Sequence, residues 1–204
     1  MTANLRLRLG SVLLAVAAST VLTGVASADI AFNPSGGTQS AGFGNDGLFF
    51  TVGASNLQLT SMGVFNGADS IRTVGIFLAS GGNFVGAPLA LANVATDSSG
   101  NGWSYVDVSG LGVELQANTQ YVIVSTSTGG FQYTADNANV GLGAGIASFD
   151  GYKYNDAGAF DPNMVTAYAP AYFGPNLQYS VVPAPASAAV FGVGLLASSR
   201  RRRV

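Results

Sequence analysis

Cysteine and histidine are both absent from this chain, and charged residues are scarce, at 9% of 204. Without cysteine there is no disulfide framework, no thiol nucleophile and no thiolate zinc or iron–sulfur site. Without histidine the usual general base and the commonest transition-metal ligand are missing. Serine–histidine triads, zincins and most redox metalloproteins are thereby excluded. What the chain does have is glycine, 28 residues against seven prolines, and 48% hydrophobic residues. The glycines follow no collagen period, and the apolar content is too high for a disordered chain.

The few charges are segregated. Six of the eight bases lie at the ends: Arg6, Arg8, Arg200, Arg201, Arg202 and Arg203. Between residues 29 and 180 only Arg72 and Lys153 face ten acids, a net of −8. Nucleic acid is not expected as a partner, because phosphate binding needs clustered Lys and Arg. Only two cations can pair with the acids, so most aspartates are expected in exposed loops. An acidic polysaccharide would be repelled at low salt unless divalent cations bridge the carboxylates. Association with such a matrix is therefore expected to strengthen with calcium.

The N-terminus has the three parts of a secretory signal. Arg6 and Arg8 form a positive region, Leu9 to Val25 is apolar, and Ala26-Ser27-Ala28 offers small residues to signal peptidase. Cleavage after Ala28 makes residues 1–28 the signal peptide and Asp29 the mature start. An uncleaved N-terminal anchor is the alternative.

The C-terminus, residues 181–204, is proline-marked, then apolar, then basic. Pro183-Ala184-Pro185 leads into an apolar helix candidate that is followed by Arg200, Arg201, Arg202 and Arg203. The arginines would stay cytoplasmic and stall the tail during export. From Ala186 to Ser199 a helix extends roughly 21 Å, short of the ~30 Å hydrocarbon core. It suits temporary better than permanent insertion. This layout resembles the PEP-CTERM sorting tail of Gram-negative bacteria that make extracellular polysaccharide, with Ala184 where glutamate is usual. The resemblance implies processing near the motif by exosortase, a membrane protease, after transient inner-membrane anchoring. It further implies a secreted or cell-surface location and the extracellular polysaccharide as partner.

Residues 29–180 read as one domain, with short apolar runs alternating with Gly, Asn, Asp and Ser clusters, as in an all-β protein. Tyr121 to Thr126 is expected as a central strand buried on both faces. Leu111, Val113 and Leu115 alternate at period two. Further strands are expected at 48–53, 56–65, 71–79, 88–95, 102–108, 130–135, 145–150, 164–169 and 177–181. Leu57 and Leu59 are odd-numbered but Met62 and Val64 even, so the inward parity switches near Thr60-Ser61. A β-bulge or a break between two strands would absorb the switch. From Leu57 to Thr128 the chain resembles a β-sandwich module found ahead of such tails. The matching pieces are Leu59-Thr60-Ser61-Met62-Gly63-Val64-Phe65, Thr73-Val74-Gly75-Ile76-Phe77, Trp103-Ser104-Tyr105-Val106 and Leu115-Gln116-Ala117-Asn118-Thr119-Gln120-Tyr121-Val122. That resemblance implies an antiparallel β-sandwich, jelly-roll or immunoglobulin-like, with no catalytic residues to carry over. A signal helix and a short C-terminal apolar helix would flank it.

No catalytic set emerges. A glycosidase needs two carboxylates flanking the scissile bond, but nearly all the acids sit in turn-like sequence. Glu114 reads as a solvated strand residue, and Lys153 has no nucleophile signature around it. No cofactor is expected. Structural calcium has oxygen-rich candidates in Asp150, Asn155, Asp156 and Asp161, and in Asp97-Ser98-Ser99-Gly100-Asn101-Gly102, though ordinary turns explain both. Trp103 with Tyr105, and Tyr152 with Tyr154, fall on common faces of their strands. Such pairs serve either as a sugar-stacking platform or as core. The functional expectation is a non-enzymatic surface or matrix protein. A carbohydrate-binding module is the alternative, and a hydrolase using paired aspartates ranks below both.

Overall fold

The computed structural model describes residues 28–35, 38–41, 44–67, 71–97, 102–127, 131–136, 140–155, 160, 165–166 and 171–183. The two terminal helices expected from the sequence, Asp156, Asp161 and residues 98–101 lie outside them. The N-terminal half contributes β1 Asp29–Ile30, β2 Phe32–Asn33, β3 Thr38–Ala41, β4 Gly44–Val52, β5 Leu57–Phe65, β6 Ile71–Ser80 and β7 Asn83–Ala95. Then follow β8 Trp103–Asp107, β9 Glu114–Leu115, β10 Gln120–Ser127, β11 Phe131–Asp136 and β12 Gly141–Leu142. The series ends with β13 Ile146–Asn155, β14 Val165–Thr166, β15 Ala171–Phe173 and β16 Pro175–Val181. Among the described residues the only helix is a 3-10 turn, Ser109–Leu111. The described residues are all-β, and every strand pairing among them is antiparallel.

Two sheets dominate. One runs β14-β13-β4-β10-β6-β7; the other runs β1-β16-β5-β8, with β9 also pairing β5. Smaller sheets, β15-β11-β3 and β12-β2, accompany them. Alternation explains how the large sheets share one core. Leu48, Phe50, Val74, Ile76, Tyr121 and Ile123 from the first sheet join Leu57, Leu59, Met62, Val64, Leu177 and Tyr179 from the second. The opposite face of β10 is also covered. Val122 and Val124 pack with Phe49, Phe77 and Ala79, and Phe84 and Phe160 lie against that second cluster. Residues 121–125 are therefore all buried, as the unbroken β-branched and aromatic run predicts.

The parity switch in β5 is a bulge within one continuous strand. Gln178 pairs Ser61 and Tyr179 pairs Leu59, so Thr60 has no partner on β16. The extra residue turns Met62 and Val64 onto the same buried face as Leu57 and Leu59.

The alternation over 111–115, by contrast, does not make a strand of that length. Gly112 adopts φ 64° and closes the 3-10 turn, leaving Leu111 57% exposed. Gly takes that left-handed conformation without the Cβ clash that penalises other residues. Only Glu114 and Leu115 join the ladder, and Leu115 alone of the three apolar residues is fully buried.

Because Asp29 pairs Tyr179 and Ile30 pairs Gln178, the chain enters β1 beside the point where it leaves β16. This corner is fastened by Ala144, whose N–H donates to Asp29 Oδ2 (2.6 Å) and whose carbonyl accepts from Tyr179 Oη (2.7 Å). Burial first, and the Asp29 carboxylate second, raise the Tyr179 phenol above its ordinary pKa.

Candidate functional site

Trp103 and Tyr105 stand on β8, an edge strand of the second sheet. Their rings stack at a centroid distance of 6.5 Å and 29° between planes. Trp103 meets Phe65 edge-on at 5.3 Å, as their pairing across β5 and β8 requires. Tyr105 pairs Gly63, and a Cβ there would run into the Tyr105 ring. The absence of a side chain at 63 thus lets the ring lie flat on the sheet. Both rings are half-buried. The Tyr105 hydroxyl is buried without a hydrogen-bond partner, and burial raises its pKa. The expected same-face pair is present, with part of each ring open to solvent.

Tyr152 and Tyr154 also stack, at 6.1 Å and 18°. Their environments differ sharply, however. Tyr152 is 6% exposed and belongs to the main core, whereas Tyr154 is 37% exposed. The bland alternative therefore describes Tyr152, and only Tyr154 of this pair offers substantial surface.

Of the oxygen-rich candidates at 150–161, Asp150 and Asn155 are described, and they stand apart on one strand. Asp150 lies in a register shift of β13, while Asn155 ends that strand and pairs Asn45. Five residues of extended chain separate them by roughly 16 Å. Asn155 Oδ1 accepts from Asn45 Nδ2 at 2.7 Å, and the Asp97 N–H donates to Asn66 Oδ1 at 3.3 Å. Among the described residues no group of three or more carboxylates gathers as metal ligands.

Asp150 is instead a hydrogen-bond acceptor. It receives Thr51 Oγ1 at 2.6 Å, Gln120 Nε2 at 2.9 Å and Ser148 Oγ at 2.5 Å. Burial pushes its carboxyl upward, but these donors outweigh burial and hold it below the ordinary range. Thr51→Ala and Ser148→Ala are each expected to raise the Asp150 pKa, read as a titration midpoint at higher pH in carboxyl NMR. Since the folded pKa is depressed, this group's stabilising contribution is complete above the ordinary value of 3.8 and fades as pH falls through the lower one. An unchanged titration in both variants would remove this account.

Asp107, exposed at the end of β8, is also held low by Ser109. Asp97, Asp107, Glu114 and Asp150 are exposed, although Asp107, Glu114 and Asp150 lie on strands, not in loops.

Among the acids with described burial, Asp46 alone is buried. It sits on β4, fully buried, with Arg72 Nη2 at 2.9 Å from Oδ1. Ser125, on β10 between the two strands, accepts a hydrogen bond from Arg72 and donates one to Asp46. Desolvation raises the Asp46 carboxyl above its ordinary range, against the pull of Arg72 and the Ser125 hydrogen bond. This raised carboxyl has no solvent-accessible surface. Its place in the molecule is structural, as a charge pair closing one end of the core. Lys153, the other internal base, lies 5.5 Å above the Phe49 ring. No family model matches the chain, and no curated protein matches it either.

Proposed function

We propose that the protein is a non-enzymatic exported protein of the cell surface or extracellular matrix, associated with the producer's own polysaccharide. In this reading its body is a jelly-roll or immunoglobulin-like sandwich. The observation that carries it is the C-terminal order of Pro183-Ala184-Pro185, apolar segment and four arginines, opposite an N-terminal signal. The described strands, which run from Asp29 to Val181, support it by fitting within the interval between the two signals. The non-enzymatic part rests on the missing catalytic residue types. It is supported by the sealed environment of Asp46, the one carboxyl raised among those with a resolved direction. Intact-mass measurement on protein from the native cell surface tests the processing. A species beginning at Asp29 and ending near Pro183–Ala186 is expected. One that keeps Arg200 to Arg203 would overturn exosortase processing.

The half-open Trp103–Tyr105 stack favours a second reading, a carbohydrate-binding module. If sugars stack there, Trp103→Ala lowers glycan-array affinity by about tenfold, or ~1.4 kcal/mol, with the circular dichroism unchanged. Equal binding by the variant and its parent would exclude the platform. Tyr152 is a poor probe for this purpose, because truncating a core tyrosine destabilises the fold itself.

A further inference from the structure

Five of the ten exposed large apolar side chains among the described residues belong to the hairpin that ends one sheet, and a sixth lies across a groove from it. Ile71, Leu78, Val85, Leu89 and Leu91 belong to the β6–β7 hairpin, and Leu111 lies across a groove from it. The groove encloses about 280 Å³ between Leu91, Ala92 and Asn93 of β7 and Val106, Val108 and Leu111 opposite, with Asp107 also lining it.

The same hairpin is free of exposed charge. From Ile71 to Ala95 the only charged residue is Arg72, which is 2% exposed and paired with Asp46. Edge strands of soluble proteins are commonly guarded by charge, proline or a bulge. Here the guard covers half the strand. Residues 86–89, including Pro88, bulge out opposite Phe77, and Gly86 has φ 75°. Ala90–Ala95 is then regular ladder on its β6 side, and no described strand pairs its other side. That open edge is about 20 Å long.

We propose that this edge is a homotypic contact, in which two copies pair Ala90–Ala95 antiparallel about a local two-fold axis. Charge selects the occupant. The body carries a net −8 between residues 29 and 180, so two copies repel at most orientations, whereas edge-to-edge docking brings together two hairpins whose one charge, Arg72, is buried. A two-fold axis makes the edge its own complement. A lipid surface would leave the strand's main-chain groups unpaired. The aliphatic side chains offer no flat ring to a sugar. A strip of this length falls well short of the ~800 Å² per partner of a stable interface. The contact is accordingly weak and reversible, and it strengthens with salt as repulsion over a Debye length of about 10 Å is screened. It stands independently of the export reading above.

Hydrogen exchange on the purified full chain at low and high protein concentration tests it. Amides of 90–95 are expected to gain protection at high concentration, more so at moderate than at low salt. Leu91→Glu places like charges across the axis and should abolish the gain. Leu89→Glu, in the bulge, serves if the first variant loses the parental circular dichroism. Association through the apolar tail would leave 90–95 unprotected and overturns the proposal. So does a gain that survives both substitutions, or one that appears only on adding phosphatidylcholine vesicles.

Discussion

Arg72→Met is expected to cost about 3–5 kcal/mol of folding stability, because it strands a buried carboxylate. Asp46 has no exposed surface, and Ser125 is its only other side-chain partner among the described residues. The thermal midpoint should fall by roughly 10 °C or more for a domain of this size. Its pH dependence identifies the cause. Desolvation already raises the Asp46 carboxyl, and removing the guanidinium raises it further. A raised carboxyl pKa means that protonation favours the fold, so the variant's deficit should narrow as pH falls from neutral toward the ordinary value of 3.8. Adding Asp46→Asn should recover part of the loss at neutral pH, since the double variant buries no charge. Urea unfolding of the four proteins closes the cycle. Additive losses across it would mean that the pair is not coupled.

Gly174→Ala should be nearly as damaging, for a steric reason. Asp46 Oδ2 occupies the space that a Cβ on residue 174 would need. Residue 174 cannot easily yield, because its carbonyl accepts the Phe65 N–H at 2.7 Å and β16 begins at the next position. Overpacking alone typically costs about 1–3 kcal/mol, and here it also pushes the carboxylate off Arg72. A loss of about 3 kcal/mol is expected, measured by urea unfolding. If it is that carboxylate which obstructs, Gly174→Ala should cost much less in an Asp46→Ala background, where Oδ2 is gone. An equal cost in both backgrounds would place the obstruction elsewhere.

Where apolar residues are dense along a strand, the sequence is easy to read. Met62 and Val64 against Leu57 and Leu59 locate the bulge at Thr60, and the run from Tyr121 marks the central strand. The buried ion pair leaves a signal too, though a faint one. Arg72 shares parity with Val74 and Ile76, and Asp46 with Leu48 and Phe50, all of which face the core. What the pattern does not carry is which strands come to flank β10, separated by 26 residues of chain, and so which charges meet. Tyr152 was ambiguous because β13 shifts register between Ile146 and Ser148 and again between Phe149 and Gly151. Two shifts erase the parity that would have assigned its ring to the core. The short strands β1, β2, β12 and β15 give no periodic signal at all, since two or three residues cannot display one. Local sequence likewise misled at Leu111, where a turn-closing glycine overrode the alternation.

The corner where β1 meets β16 has a mechanical consequence. A pull that separates residue 29 from residue 183 acts across the β1–β16 seam, where only two residue pairs are in register. Loading in that direction opens rungs one after another, as a zipper does, instead of shearing them together. The first strand should therefore detach at low force, leaving the seven-residue pairing of β16 with β5 to bear the tension. A protein held near residue 183 and pulled by residue 29 would keep its core intact while this short strand works as a weak link.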